Sequence, residues 1–139
     1  MDFLLDAERV LLGMVGGAAI FMVAGVRPNL PKEGGERMAG AVWARFNLLA
    51  FGAVALVILL AGVRLADGSD RALVHVVGGG VLLAVLFAKS RLDDRMSRRT
   101  AEAGVGGPDP EAMRRDVTRM IPLVVVIQVL SIALALAPA

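Results

Sequence analysis

Four polar side chains lie inside or close to long apolar stretches of this sequence: Asn47, His75, Gln128 and Ser131. Gln128 and Ser131 are three residues apart, which places them on one face of a helix. Polar groups in a hydrocarbon environment are costly and usually point towards the protein interior. Two interpretations follow. The side chains form hydrogen bonds between helices, worth about 0.6–2 kcal/mol each, or they line a path for a permeant solute.

His75 and the methionines are the residues that could bind a metal or a haem. The chain has one histidine and no cysteine, and no carboxylate lies within the apolar stretches to share a metal with His75. The seven methionines are scattered, which favours core filling over Cu(I) coordination. No nucleotide-binding, hydrolase or metalloprotease motif occurs. The sequence therefore indicates no catalytic residue, no metal ligand and no cofactor.

The elements that position these residues are four uncharged runs of at least 17 residues each. With a rise of about 1.5 Å per residue, a helix of this length spans about 25–30 Å, the thickness of a bilayer's hydrocarbon core. Only a helix satisfies all backbone polar groups within one such segment. The helices of a soluble bundle would show polar faces, which these runs lack. The sequence thus predicts an all-α polytopic membrane protein, a single domain over residues 1–139, with a four-helix bundle of transmembrane spans at about 9–27, 38–65, 71–90 and 118–138.

The residues before the first run bear on whether that run is a cleaved signal peptide. Asp2, Asp6, Glu8 and Arg9 make the leader acidic, where a signal peptide needs basic residues. We therefore interpret the first run as a helix of the mature protein and place these charges outside it.

The basic residues predict the orientation. Twelve lie in or beside the first and third loops (residues 28–37 and 91–117), and only Arg9, Arg64 and Arg71 lie on the opposite side. Because basic loops stay in the cytoplasm, these two loops are predicted to be cytoplasmic and both termini extracytoplasmic. The net charge is only +2 and no basic stripe is interleaved with aromatic residues. The expected partner is therefore the lipid bilayer and not nucleic acid.

Small residues and interfacial residues give more local expectations. Gly13 and Gly17 in the first span, and Gly78, Gly79 and Gly80 in the third, predict close helix packing or an oligomer interface. Trp43 and Arg45 are predicted interfacial anchors at the cytoplasmic edge of the second span, with Asp93 or Asp116 as a candidate partner for Arg45.

Helix ends are marked by capping signals. Ser69 is a candidate cap for the third helix and Asp109 for the fourth, where Pro110 and Glu111 suit the first turn. Pro122 is a candidate kink.

The segment GGAAIFMVAGVRPNLPKEGGERMAGAVWARFNLLAFGAVALVIL resembles a bacterial family of four-helix membrane proteins of unknown function. That family is distantly similar to the membrane protein of copper-resistance operons. The resemblance rests on Gly16–Gly17, Pro28, the small-residue patch Met38–Ala41 and Arg45–Phe46. It implies a four-helix fold in the bacterial inner membrane, and no particular chemistry.

A second resemblance is to the membrane-associated proteins of eicosanoid and glutathione metabolism, which also have four helices. Arg45 and Asn47 partly match their second helix. The acidic residue that follows in those proteins is absent from Leu48–Val63, and the chain has no tyrosine to activate a thiol.

These observations lead to three functional hypotheses. The first is a non-enzymatic membrane protein that acts as a homo-oligomeric bundle or as an accessory subunit of a larger membrane complex. The second is a channel or transporter for a small solute or an ion, including a metal ion, lined by the four polar residues. The third is a glutathione-type membrane enzyme.

Overall fold

The structure, a computed structural model, describes residues 2–26, 29, 35–103 and 109–138. Most of these residues belong to four helices: α1 (Asp2–Phe21), α2 (Gly35–Ala66), α3 (Leu73–Glu102) and α4 (Pro110–Leu136). A π-helical turn, Met22–Val26, continues α1, and a 3₁₀ turn, Asp70–Ala72, precedes α3. No strand occurs among the described residues. The all-α prediction is confirmed.

Four helical stretches, which include the π-helical turn after α1 and the 3₁₀ turn before α3, are long and apolar enough to cross a membrane. These stretches are Phe3–Val26, Gly40–Ala66, Asp70–Arg99 and Pro110–Leu136. The chain therefore has the fold of a multi-pass membrane protein. The helices are longer than the predicted spans, because α3 continues to Glu102 and α4 already begins at Pro110. Most of the loop predicted at residues 91–117 is consequently helical.

The helices form an up-and-down bundle in which α1 and α3 each pack against both α2 and α4. Successive helices are antiparallel, so the start of α1 and the end of α4 lie at one end of the bundle, here named the terminal end. The opposite end, named the loop end, carries the connections α1–α2 and α3–α4. Pro28, Pro31 and Gly34, which predict a turn in the first of these, lie outside the described residues.

The helix termini agree with the capping signals in one of two places. The Asp109 carboxylate accepts a hydrogen bond from the Glu111 amide (3.2 Å), as expected for an N-cap. The Ser69 prediction is wrong: its side chain makes no capping bond, and its carbonyl accepts from the Ala72 amide in the 3₁₀ turn. Gly68 makes the preceding turn with φ of +98°, a conformation that other residues rarely adopt. Pro122 lies inside the continuous helix α4.

Apolar side chains fill the interior along every helix. Leu12, Val54, Val57, Leu82 and Leu86 are completely buried. The outer surface is also apolar, as expected of helices that face lipid. Its large exposed side chains include Val10, Met14, Phe21, Leu48, Leu59, Val77, Val81, Phe87, Val125 and Val129.

Only part of the predicted glycine packing occurs within the chain. A Cβ at Gly79 would lie 2.8 Å from Ile58 Cγ1, and one at Gly78 would lie 2.9 Å from Leu134 Cδ1, so both glycines permit close helix contacts. Gly16, which the sequence analysis did not select for packing, has the same role against Ile132 and Ser131.

The prediction of intramolecular packing is not met at Gly13, Gly17 and Gly80. A Cβ at any of the three would meet no other atom of the described chain within 4 Å. The reason is helix rotation: the helix faces that carry these glycines point away from the bundle.

Candidate functional site

A buried ionic cluster at the terminal end connects all four helices. The Arg64 guanidinium of α2 donates two hydrogen bonds to the Glu8 carboxylate of α1, Nε to Oε2 (2.6 Å) and Nη2 to Oε1 (2.8 Å). His75 of α3 places Nδ1 2.8 Å from Glu8 Oε1 and Nε2 2.8 Å from the Leu134 carbonyl of α4. Glu8 and His75 are completely inaccessible to solvent, and Arg64 is 3% exposed. These three side chains and the Leu134 carbonyl are named the terminal cluster.

Helical spacing explains why these charged residues face inwards. Glu8 precedes Leu12 by four residues, so both lie on the buried face of α1. Arg64 follows Ala61 by three residues and Val57 by seven, which continues the buried face of α2. The faces that carry the apolar core therefore also carry the charges, within about two turns of the helix ends.

The cluster also completes the carboxyl end of α4. The last carbonyls of a helix lack internal partners and carry its negative dipole end. His75 binds the Leu134 carbonyl there, and Arg9 of α1 donates from Nη2 to the Ala137 carbonyl (3.0 Å). Both contacts place hydrogen-bond donors against carbonyls at this end, so they favour the docking of α4 onto the bundle.

A second polar cluster, at the loop end, joins α2 to α3. Lys89 is completely buried and donates to Asp93 Oδ2 (2.6 Å) and Asn47 Oδ1 (3.2 Å), while Asn47 Nδ2 donates to Asp93 Oδ2 (2.8 Å). The Lys89 ammonium also lies 3.7 Å from the centre of the Trp43 ring. Trp43 packs edge to face with Phe46, with 5.3 Å between the ring centres. Asn47, Lys89, Asp93 and Trp43 are named the loop-end cluster.

The two clusters lie near opposite ends of the hydrophobic spans. Lys89 follows His75 by 14 residues and Asn47 precedes Arg64 by 17, which corresponds to about 21–25 Å along the helix axes. A bilayer core is about 30 Å thick. Each cluster thus buries its charges close to one edge of the apolar region, where taking them out of water costs less than at the centre.

The two predicted interfacial anchors differ in their exposure. Trp43 is half-buried and contacts Lys89, while Arg45 is exposed. The candidate partners of Arg45 are engaged elsewhere: Asp93 binds Lys89, and Asp116 Oδ2 lies 3.2 Å from Arg99 Nη1. This last contact is an ion pair without an aligned hydrogen bond.

Two of the predicted lining residues lie on α4 and belong to neither cluster. Gln128 Nε2 donates to the Ala19 carbonyl of α1 (3.3 Å), three residues before the π-helical turn. Ser131 is completely buried, and its hydroxyl has no hydrogen-bond partner. Gln128 therefore joins α1 to α4, as the interpretation by interhelical hydrogen bonds predicts.

The structure brings the four predicted lining residues together only in part. Asn47 belongs to the loop-end cluster, His75 to the terminal cluster, and Gln128 and Ser131 to the contact between α1 and α4. They do not form one continuous polar row. No set of three His, Cys, Asp or Glu side chains that could hold a metal ion occurs in the described part of the chain.

Sequence reasoning missed Glu8, Arg64 and Lys89 as members of the clusters, and it proposed Arg45 in place of Lys89 as a partner of Asp93. Glu8 was assigned to a leader outside the first span. Arg64 and Lys89 were counted only among the basic residues that predict the orientation, with Lys89 one of the twelve in or beside the first and third loops. A heptad-like signal was present: Lys89 follows Leu86 by three residues, Leu82 by seven and His75 by fourteen, which predicts one buried face.

The comparisons with known proteins add no family to this description. The chain matched none of the protein-family models, curated proteins or solved structures with which it was compared. The resemblances drawn from the sequence therefore stay predictions, and what is shown is an all-α bundle of four helices, each able to span a membrane.

Proposed function

We propose that this chain is a non-enzymatic protein of the bacterial inner membrane that works as a homo-oligomer of four-helix bundles. Membership of a larger complex, as an accessory subunit, is the rival arrangement. The observation that carries the proposal is the outward face of α1. Gly13 and Gly17, one helical turn apart, have open space where a Cβ would lie. Val10, Met14 and Phe21 are exposed beside them.

Glycines at these positions gain nothing from lipid. Glycine is about 1 kcal/mol less favourable than alanine in a helix, and it offers no side chain to the acyl chains. A second helix, however, can approach closely over a Gly-xxx-Gly surface and gain van der Waals contact. A second copy presents the same surface, so a two-fold contact between two α1 helices is self-complementary.

The state of the buried charges supports a non-enzymatic role. The ionisable side chains of the terminal cluster are hydrogen-bonded to one another and to a backbone carbonyl. Lys89 and Asp93 are paired in the same way at the loop end. Such pairing suits groups that hold helices in register better than groups that transfer protons to a substrate.

The first experiment measures the native mass of the gently solubilised protein, with subunit composition determined by mass spectrometry. We expect a defined homo-oligomer that Gly17→Leu dissociates, because the larger side chain separates the α1 helices. Gly52→Leu is the matched control, since Gly52 is also exposed and has open space beside it, but lies on α2. Insensitivity of the oligomer to Gly17→Leu, or a monomeric wild type, refutes the α1 interface. Co-purification with other subunits favours the accessory role.

The proposed orientation places the terminal end outside the cytoplasm. It is supported by the exposed arginines at the loop end, which suit the anionic inner leaflet: Arg91, Arg95, Arg98, Arg114, Arg115 and Arg119. Because the chain has no cysteine, single cysteines report the orientation directly. A membrane-impermeant thiol reagent added outside spheroplasts should label Asp6→Cys and not Glu111→Cys. The reverse pattern would contradict the orientation.

A further inference from the structure

The hydrogen bonds of His75 fix the number of protons in the terminal cluster. The Leu134 carbonyl can only accept a hydrogen bond, so its 2.8 Å contact requires a proton on His75 Nε2. The 2.8 Å contact between Nδ1 and Glu8 Oε1 then joins two atoms that are both acceptors when the ring is neutral and the carboxylate ionised. A second proton is needed between them.

We propose that Glu8 and His75 form a proton-binding site, in which one proton held between His75 Nδ1 and Glu8 Oε1 ties α3 to α1. The proton resides either on the ring, giving an imidazolium opposite a carboxylate, or on the carboxyl group, which then donates to Nδ1. In both forms the two contacts of His75 are satisfied, and the cluster with Arg64 carries one net positive charge.

Groups of both charge signs surround this proton. The Glu8 carboxylate provides the opposite charge from α1, and the end of α4 contributes the negative end of its dipole through the Leu134 carbonyl. Arg64 of α2 opposes a further positive charge but is itself paired with Glu8 through two hydrogen bonds. Of the other arginines at this end, Arg9 is bound to the Ala137 carbonyl, and Arg71 is exposed.

Loss of the proton must break one contact between helices. If the remaining ring proton stays on Nε2, the Nδ1 lone pair faces the carboxylate at 2.8 Å, and the hydrogen bond between α3 and α1 is lost. If the proton moves to Nδ1, the Nε2 lone pair faces the Leu134 carbonyl, and the hydrogen bond between α3 and α4 is lost. Proton occupancy is therefore coupled to helix packing at the terminal end.

The test uses the fact that His75 is the single histidine of the chain. NMR of the full-length protein, labelled with ¹⁵N-histidine and reconstituted in lipid nanodiscs, detects both ring nitrogens of His75. Residue assignment is unnecessary because no other histidine contributes signals. We expect Nε2 to carry a proton, and Nδ1 to carry or accept one, at about pH 8, where an ordinary histidine is neutral. A bare Nδ1 or a bare Nε2 at this pH overturns the proposal.

A variant separates the shared proton from simple burial of the ring. The side chain of Glu8→Gln can donate its amide proton to Nδ1 and accept from Arg64, but it cannot release a proton. We expect a ring with one proton, on Nε2, and an unfolding midpoint that no longer falls when pH rises far enough to deprotonate the wild-type pair. The control Asp6→Asn removes an exposed carboxylate two residues away and should behave as wild type. If Glu8→Gln keeps two ring protons or the wild-type pH dependence, the proposal is overturned. The wild-type spectrum decides the matter if the variant does not fold.

Discussion

Replacing Arg64 with methionine tests how much the terminal cluster stabilises the bundle. Arg64→Met keeps a long side chain but removes both hydrogen bonds that Glu8 accepts from the guanidinium, at 2.6 and 2.8 Å. Glu8, which has no solvent exposure, is left with His75 as its remaining partner. Removing one side of a buried ion pair typically costs about 3–5 kcal/mol. Because His75 still binds the carboxylate, we expect a loss of about 3 kcal/mol in the free energy of unfolding.

Reversible unfolding in mixed micelles of increasing SDS fraction, followed by circular dichroism, measures this loss. Arg71→Met is the control, because Arg71 lies at the same end of the bundle and is exposed. The double variant Glu8→Met/Arg64→Met should be more stable than Arg64→Met alone, since it leaves no buried carboxylate without its guanidinium partner. The reasoning fails if Arg64→Met costs no more than Arg71→Met, or if the double variant is the less stable of the two.

Three further substitutions test other contacts. Ser131→Ala removes a buried hydroxyl that has no partner, so the free energy of unfolding should stay unchanged or rise by up to about 1 kcal/mol. Lys89→Met removes the ammonium 3.7 Å from the Trp43 ring, and the emission of this single tryptophan should change together with a loss of about 3 kcal/mol in stability. Gly78→Ala places a Cβ against the Leu134 side chain and should lower the unfolding midpoint by separating α3 from α4.

Gly80 and Arg95 provide matched controls on α3 for Gly78→Ala and Lys89→Met. Gly80→Ala adds a methyl group where nothing lies within 4 Å and should leave the midpoint unchanged. Arg95→Met removes an exposed cation from α3 and should leave tryptophan emission unchanged. A loss of more than about 1 kcal/mol in Ser131→Ala would mean that the hydroxyl has a partner and that its burial is favourable.

The sequence is sufficient to predict which charged residues lie on the buried face of each helix. Glu8, Arg64 and Lys89 all continue the spacing of buried apolar residues on their own helices. They were read as flanking charges because hydropathy averages over a whole window and takes no account of the face on which a charge lies. Considering charge and helix face together would have placed all three inside the bundle.

For the glycines of α1, in contrast, the sequence does not determine which ones face the bundle. Gly13 and Gly17 have the spacing of a packing motif, whereas Gly16 lies between them without such a partner in sequence. In the structure Gly16 contacts α4, and the other two point outwards. Adjacent residues on a helix differ by about 100° in direction, so an error of about one residue's step in the assumed rotation of α1 exchanges the inner glycine for the outer ones.

The sequence by itself determined the number of helices, their apolar character and the antiparallel order of the chain. A bilayer-length apolar run can satisfy its backbone only as a helix, and short connections between four such helices leave few arrangements. Only the tertiary structure decided which charges meet. Glu8 and Arg64 are 56 residues apart, and Glu8 and His75 are 67 apart. Their pairing depends on the rotation and axial position of three helices relative to one another, and these are set by the packing of all the side chains in the core.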